Sequence, residues 1–161
     1  RTVCKADRQE SGEEIYKENQ GKRIMYEYAM RLIRIIDGDT FKAEVDLGFS
    51  TFRNETVRMS GINTPESRTR DLEEKRHGLA AKKVLGDLLT SATQLVVNVK
   101  DVGKFGRALG IVYADGLNVN YELIDKGYAY PYGGEKKMTY QDMLQRYAAM
   151  NSVYEKLRQE E

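Results

Sequence analysis

A single cysteine, Cys4, stands in a chain of 161 residues, so no internal disulfide can form. That excludes a disulfide-stapled scaffold. It leaves the compartment open, since secreted domains of this size can also stand without disulfides. Long apolar runs are missing too. Nothing approaches the roughly 18 consecutive residues a helix needs to span a bilayer, and no membrane association is expected. Nor is there an excess of one charge: 26 basic and 25 acidic side chains leave a formal +1. A strongly basic chain would announce a polyanionic partner. Here any grip on one must come from local placement of Arg and Lys. Histidine occurs once, as His77, beside Lys75 and Arg76 in the first turns of a predicted helix, where a solvated surface position is expected. With Cys4 in a polar leader, histidine- and cysteine-driven catalysis are both disfavoured.

What is present describes one globular domain. The length suffices for a single core, and 40% hydrophobic with 32% charged residues fits a well-solvated surface. The start, Arg1-Thr2-Val3-Cys4, has no initiator Met and no apolar signal core, which points to a beginning inside a longer product or after processing. Residues 1–27 are too polar to offset their ordering entropy and read as an N-terminal extension. The domain is expected over residues 28–161.

From Tyr28 the pattern becomes β-rich. Met30, Leu32, Ile33, Ile35 and Ile36 lead into the turn Asp37-Gly38-Asp39. Phe41, Ala43, Val45 and Leu47 then alternate with Lys42, Glu44 and Asp46, a half-buried strand of period two. A third strand is predicted from Phe49 to Arg58, closing in the loop Ser60-Gly61-Ile62-Asn63-Thr64-Pro65-Glu66. Three strands with short connections argue for an antiparallel meander.

A helix follows Asp71, which with Glu74 has capping-box spacing; Ala81, Val84, Leu85, Leu88 and Ala92 form its apolar face. Strands are predicted at Leu95–Val99 and Ala108–Tyr113, with Asp115-Gly116 as a hairpin turn. A short helix from about Asn120 should stop at Gly127, a favoured C′ residue. A single last helix is expected from Thr139, with Tyr140, Met143, Tyr147, Met150, Tyr154 and Leu157 as a stripe packed on the same domain. The whole reads as α+β: a five-stranded barrel of the oligonucleotide-binding (OB-fold) type with three α-helices.

The polar residues at the predicted strand ends suit one reaction. Asp39 ends a strand beside a second carboxylate, Asp37; Arg58 ends another; Asn63, Thr64 and Glu66 share a loop with rigid Pro65; Arg107 opens a later strand. Phosphodiester hydrolysis needs nonbridging oxygens neutralised, a water activated and developing charge stabilised. Arginine supplies bidentate donors to phosphate, Asp, Asn and carbonyl oxygens suit Ca²⁺ or Mg²⁺, and a glutamate can orient or deprotonate water. Singly, an Asp-Gly-Asp turn is a common loop and an arginine an ordinary surface ion-pair partner.

The set as a whole resembles a known family. Ile36-Asp37-Gly38-Asp39-Thr40, Val57-Arg58-Met59-Ser60-Gly61-Ile62-Asn63-Thr64-Pro65-Glu66, and Lys104-Phe105-Gly106-Arg107-Ala108 with Tyr113-Ala114-Asp115-Gly116 are similar in order and spacing to the staphylococcal (thermonuclease-like) nucleases. The likeness runs from about Tyr28 to the final helix. It implies Asp39 as a carboxylate ligand for Ca²⁺, Thr64 as a backbone-carbonyl ligand, and Asn63 at the position of the family's second metal carboxylate. It further implies Glu66 as the water-activating base, Arg58 and Arg107 as the phosphate clamp, and Lys104 beside a terminal phosphate of the substrate. Phe105 stands where the family often has Tyr. Tyr128, Tyr130 and Tyr132 fall where aromatics stack on the nucleotide base, of which Tyr130 and Tyr132 are the expected substrate contacts, with Phe105. The implied activity is a Ca²⁺-dependent nuclease, Ca²⁺ ahead of Mg²⁺, of low sequence specificity. It would cut DNA, or RNA, endo- and exonucleolytically to leave 3′-phosphates, as a monomer. The alternative is a catalytically silent barrel of the same fold that binds nucleic acid or a protein.

Overall fold

A computed structural model describes residues 26–103 and 106–160. Their order is β1 (Tyr26–Asp37), β2 (Thr40–Asp46), β3 (Phe52–Met59), β4 (Ile62–Asn63), α1 (Leu72–Thr90), β5 (Leu95–Val102), β6 (Ala108–Ala114), β7 (Leu117–Asn118), α2 (Val119–Asp125), β8 (Tyr130–Pro131), α3 (Tyr140–Arg146) and α4 (Ala148–Gln159). The expected extension lies outside the described residues up to residue 25, and β1 takes in Tyr26 and Glu27, two residues ahead of the expected domain start.

The meander is there: β1 pairs antiparallel with β2, and β2 with β3. β5 adds to the other side of β1 and β6 to β5, both antiparallel. A parallel pairing of β3 with β6, Val57↔Ala108 through Met59↔Gly110, closes the five-stranded OB-type barrel. The alternation read from the sequence holds for Phe41, Ala43 and Val45, which are buried, but not for Leu47, exposed past the end of β2; Val57, Met59, Val97 and Val112 complete the interior, with Leu85 and Leu89 of α1 capping them. Gly110 lets the strands pack closely at this closure, since a Cβ there would meet Val97 Cγ2 at 2.7 Å.

The third strand starts later than expected. Gly48, Phe49 and Ser50 all have positive φ and make a tight turn tied by Gly48 N–H to Asp46 Oδ1, so Phe49 sits at a solvent-facing tip and β3 begins at Phe52. The Asp115-Gly116 hairpin forms as predicted, both residues left-handed. Helix α2 is capped by Asn118 and ends in a Schellman motif, with Tyr128 N–H on Leu123 O and Gly127 N–H on Ile124 O around left-handed Gly127.

The last helix is two, making four among the described residues and not three. Tyr147 leaves helical geometry (φ −118°, ψ 105°), ending α3 and starting α4. The break lets its ring stack on Tyr130 at 5.7 Å and 23°, in a second cluster with Tyr140, Met143, Leu144 and Met150. The predicted stripe therefore packs on its own domain, through a kink that helical periodicity alone does not show.

Candidate active site

The β1–β2 turn, the end of β3, the loop after β4 and the start of β6 converge on one cleft of about 300 Å³. Asp37, Asp39, Thr40, Arg58, Thr64, Pro65, Glu66, Arg107, Tyr132 and Lys137 line it. Barrel closure explains the meeting: the β3–β6 pairing sets Arg58 opposite Leu109, two residues from Arg107, and the β2–β3 pairing sets Thr40, next to Asp39, opposite Arg58.

Asp39 is buried and held on every side. Its Oδ1 accepts from Thr40 Oγ1 at 2.9 Å, its Oδ2 accepts from Thr64 N–H at 3.2 Å, and Arg58 Nη2 lies 3.4 Å away. Its own carbonyl takes Met59 N–H at 2.8 Å. Arg58 is spread over the loop it precedes, donating to Met59 O (2.8 Å), Ile62 O (2.9 Å) and Asn63 Oδ1 (3.4 Å). It thus builds the cleft wall as well as facing the cleft.

Glu66 is positioned from outside its loop. Its N–H donates to Glu74 Oε1 on α1 at 3.2 Å, and its Oε1 accepts from Lys137 Nζ at 3.3 Å. The Glu74 carboxyl is pushed up, chiefly by burial. Asp71 caps α1 as predicted, accepting from the N–H groups of Glu73 and Glu74, but Glu74 reaches to Glu66 and not back to complete a capping box. The helix can approach this closely because residue 78 is glycine: a Cβ there would lie 2.6 Å from both the carbonyl carbon and oxygen of Glu66. Ser67 Oγ donates a short hydrogen bond to Asp37.

Other expected site residues fall elsewhere. Asn63 is buried, is absent from the cleft lining, and turns its carboxamide to Tyr130, donating Nδ2 to the tyrosine Oη at 2.7 Å. Its Oδ1, the atom that could ligate a metal, instead faces Arg58 Nη2 at 3.4 Å, the same nitrogen that lies 3.4 Å from Asp39. Tyr130 offers no open face to a base. It is 1% exposed, with Tyr147 stacked on it and Tyr132 edge-on at 6.3 Å. Tyr132, half-buried, does line the cleft and is fixed by its N–H on Gly61 O. Tyr128 packs against the barrel core and edge-on to His77. Lys104 and Phe105 lie outside the described residues.

His77 corrects the surface expectation. It is fully buried, with Nε2 against Gly127 O and Nδ1 against Tyr140 Oη, both at 2.9 Å. A carbonyl only accepts, so Nε2 carries the proton and Nδ1 accepts from the tyrosine. Burial pushes the imidazole below its usual range. The flanking Lys75 and Arg76 masked this, because charge in sequence does not say which helix face a neighbour occupies.

The oxygen-only donors Asp37, Asp39, Glu66 and the Thr64 backbone suit a hard cation. Among the described residues no three of His, Cys, Asp and Glu gather into a cage. Sequence reasoning also missed Lys137, Glu74 and Gly78. Only the paired Lys136-Lys137 after two glycines hinted at a basic loop, with no sign of which lysine turns inward.

Residues 56–155 match the family described as "Staphylococcal nuclease homologue". The chain is 33% identical over 110 residues to a "Micrococcal nuclease" of Shigella flexneri, covering 63% of this chain and 56% of that one. It is 30% identical over 114 residues to Endonuclease YhcR of Bacillus subtilis, 66% of this chain and 9% of that protein. An "Uncharacterized endonuclease" of Haemophilus influenzae is 28% identical over 102 residues, 63% of this chain and 51% of its own. The matched stretch is thus about half the length of two of these relatives and a small part of the third.

Proposed function

Because the chain belongs to the staphylococcal nuclease family, we propose that it is a nuclease hydrolysing phosphodiester bonds of DNA, with RNA as a further substrate, with low sequence specificity. One observation carries this reading: two guanidiniums, Arg58 and Arg107, and three carboxylates, Asp37, Asp39 and Glu66, line a single open cleft. A silent barrel would have no need of that convergence.

In the proposed reaction Glu66 accepts a proton from a water that attacks phosphorus in line. The bond from phosphorus to the 5′ oxygen breaks, the leaving oxygen is protonated by solvent, and the phosphate stays on the 3′ side. Arg58 and Arg107 donate to the equatorial oxygens as charge builds on them. Arg58, anchored on Met59 O, Ile62 O and Asp39, brings a preorganised guanidinium to the cleft. Tyr132 offers a ring for sequence-tolerant stacking, worth about 1–3 kcal/mol per base. A Ca²⁺ ion, held by Asp39, the Thr64 carbonyl and the Asn63 side-chain oxygen, would neutralise phosphate charge and lower the pKa of bound water.

Incubation with single- and double-stranded DNA and RNA, with Ca²⁺, Mg²⁺ or chelator, tests this. Products with 3′-phosphates, formed with Ca²⁺ and abolished by chelator and by Glu66→Gln, are expected. Undiminished cleavage in excess chelator would remove Asp39 from its role as ligand, and no cleavage under any condition would leave the silent barrel.

A further inference from the structure

The loop of residues 132–139 between β8 and α3 brings a third cation to the cleft. Within it Glu135 turns its carboxylate back onto Gly133 N–H at 2.9 Å, whereas Lys137 reaches the cleft and pairs with Glu66 at 3.3 Å. Both partners are about half exposed, 55% for the lysine side chain and 49% for the glutamate. A pair this exposed contributes about 0–1 kcal/mol, so exchanging it for another anion costs little. Lys137 also sets the charge balance. With it, three carboxylates face three cations in the lining; without it, three carboxylates face two guanidiniums, and the cleft repels a polyanion.

We propose that Lys137 is a substrate-binding residue that leaves Glu66 for a phosphate of the nucleic-acid strand, so that strand entry itself releases the carboxylate to accept a proton. Before substrate arrives, Oε1 of the base accepts from the Lys137 ammonium. When a phosphodiester enters, its anionic oxygen competes for the same ammonium. Lys137 then turns from one anion to the other, without changing the charge of the cleft lining. The assignment rests on the nuclease reading for the role of Glu66, but the phosphate contact is measurable without turnover.

The experiment is binding of a fluorescein-labelled single-stranded oligodeoxynucleotide in excess chelator, across a salt series, for wild type, Lys137→Ala, Lys137→Arg and Lys136→Ala. Lys137→Ala should weaken binding about three- to tenfold at low salt and flatten the slope of log K against log salt by about 0.7, the loss of one phosphate contact on a single strand. Lys137→Arg should restore the slope, and Lys136→Ala, whose side chain is outside the cleft lining, should keep it. In turnover, Lys137→Ala should raise KM several-fold with kcat within about twofold. Affinity and slope equal to wild type in Lys137→Ala, or no oligonucleotide binding by wild type, would overturn the proposal. Absence of cleavage with the Lys137-dependent slope intact would instead overturn the nuclease reading, and with it the release of Glu66 as a base, and leave the Lys137–phosphate contact standing.

Discussion

Asn63 and Tyr130, 67 residues apart in sequence, share a buried hydrogen bond of 2.7 Å from carboxamide to phenol oxygen. The bond crosses the β4–β8 ladder, in which the same two residues are paired partners. Since Arg58 Nη2 also reaches Asn63 Oδ1, the tyrosine is coupled through one amide to a cleft guanidinium. Tyr130→Phe keeps the ring packing but strands the amide, a buried donor whose loss of partner costs about 1–3 kcal/mol. Urea denaturation should show that loss with an unchanged m-value. A variant as stable as wild type would mean that the amide finds another acceptor at no cost.

Gly78→Ala should damage activity far more than its size suggests. The added methyl meets the backbone of Glu66 and Pro65 at 2.6–2.7 Å, and backbone cannot swing aside as a flexible side chain does. The helix or the loop must move, carrying Glu66 away from its place, and displacements on the order of 1 Å can cost about 10²-fold. Turnover should fall by that order with the far-ultraviolet dichroism of the wild type retained. Full activity in this variant would show that Glu66 tolerates the shift and is not held to a fixed geometry.

The arginines should separate into two kinds of loss. Arg107→Lys keeps the charge and loses the planar fork, so kcat should drop about 10²–10³-fold, the range for removing one transition-state donor. Arg58→Lys should lose activity and stability together. A single ammonium cannot serve Met59 O, Ile62 O, Asn63 and Asp39 as the guanidinium does, and a buried acceptor left without its donor costs about 1–3 kcal/mol. Thermal melts of the two variants beside their rates check this, and equal melting temperatures would deny Arg58 its structural part.

His77 makes stability fall in mild acid. Its folded pKa is depressed below the usual value of 6.5 by burial, so the unfolded chain binds the proton more readily than the native state. The contribution is fully present above about pH 6.5 and is lost as pH drops from there toward the folded pKa. Protonation would also turn Nδ1 into a second donor facing the Tyr140 hydroxyl, its present donor. His77→Gln, able to donate to Gly127 O, should flatten the stability profile below pH 6.5 while lowering stability near neutrality by about 1–3 kcal/mol. A slope unchanged in the variant would assign the acid sensitivity to other groups.

Much of this protein is determined locally and so is legible in the chain. Alternation in Phe41, Ala43 and Val45 follows from the period of a strand with one buried face. The caps at Asp71 and Thr139 and the stop at Gly127 follow from orphan N–H groups and a left-handed residue. The order Asp39, Arg58, Glu66, Arg107 carried enough chemistry to point to one cleft. What only the tertiary structure decided is which partner each polar group finds. Asn63 bridges Tyr130 and Arg58, Glu74 reaches Glu66 and not its own helix end, and Lys137 reaches Glu66 across 71 positions. His77 went inward although its neighbours are charged, because Gly127 O and the Tyr140 hydroxyl together satisfy both ring nitrogens away from water. Tyr147 broke a helix that its periodicity favoured, and its ring stacks on Tyr130 at the break. Periodicity and capping depend on residues within a turn or two of one another. Hydrogen-bond partners and ring contacts depend on elements brought together only when the barrel closes.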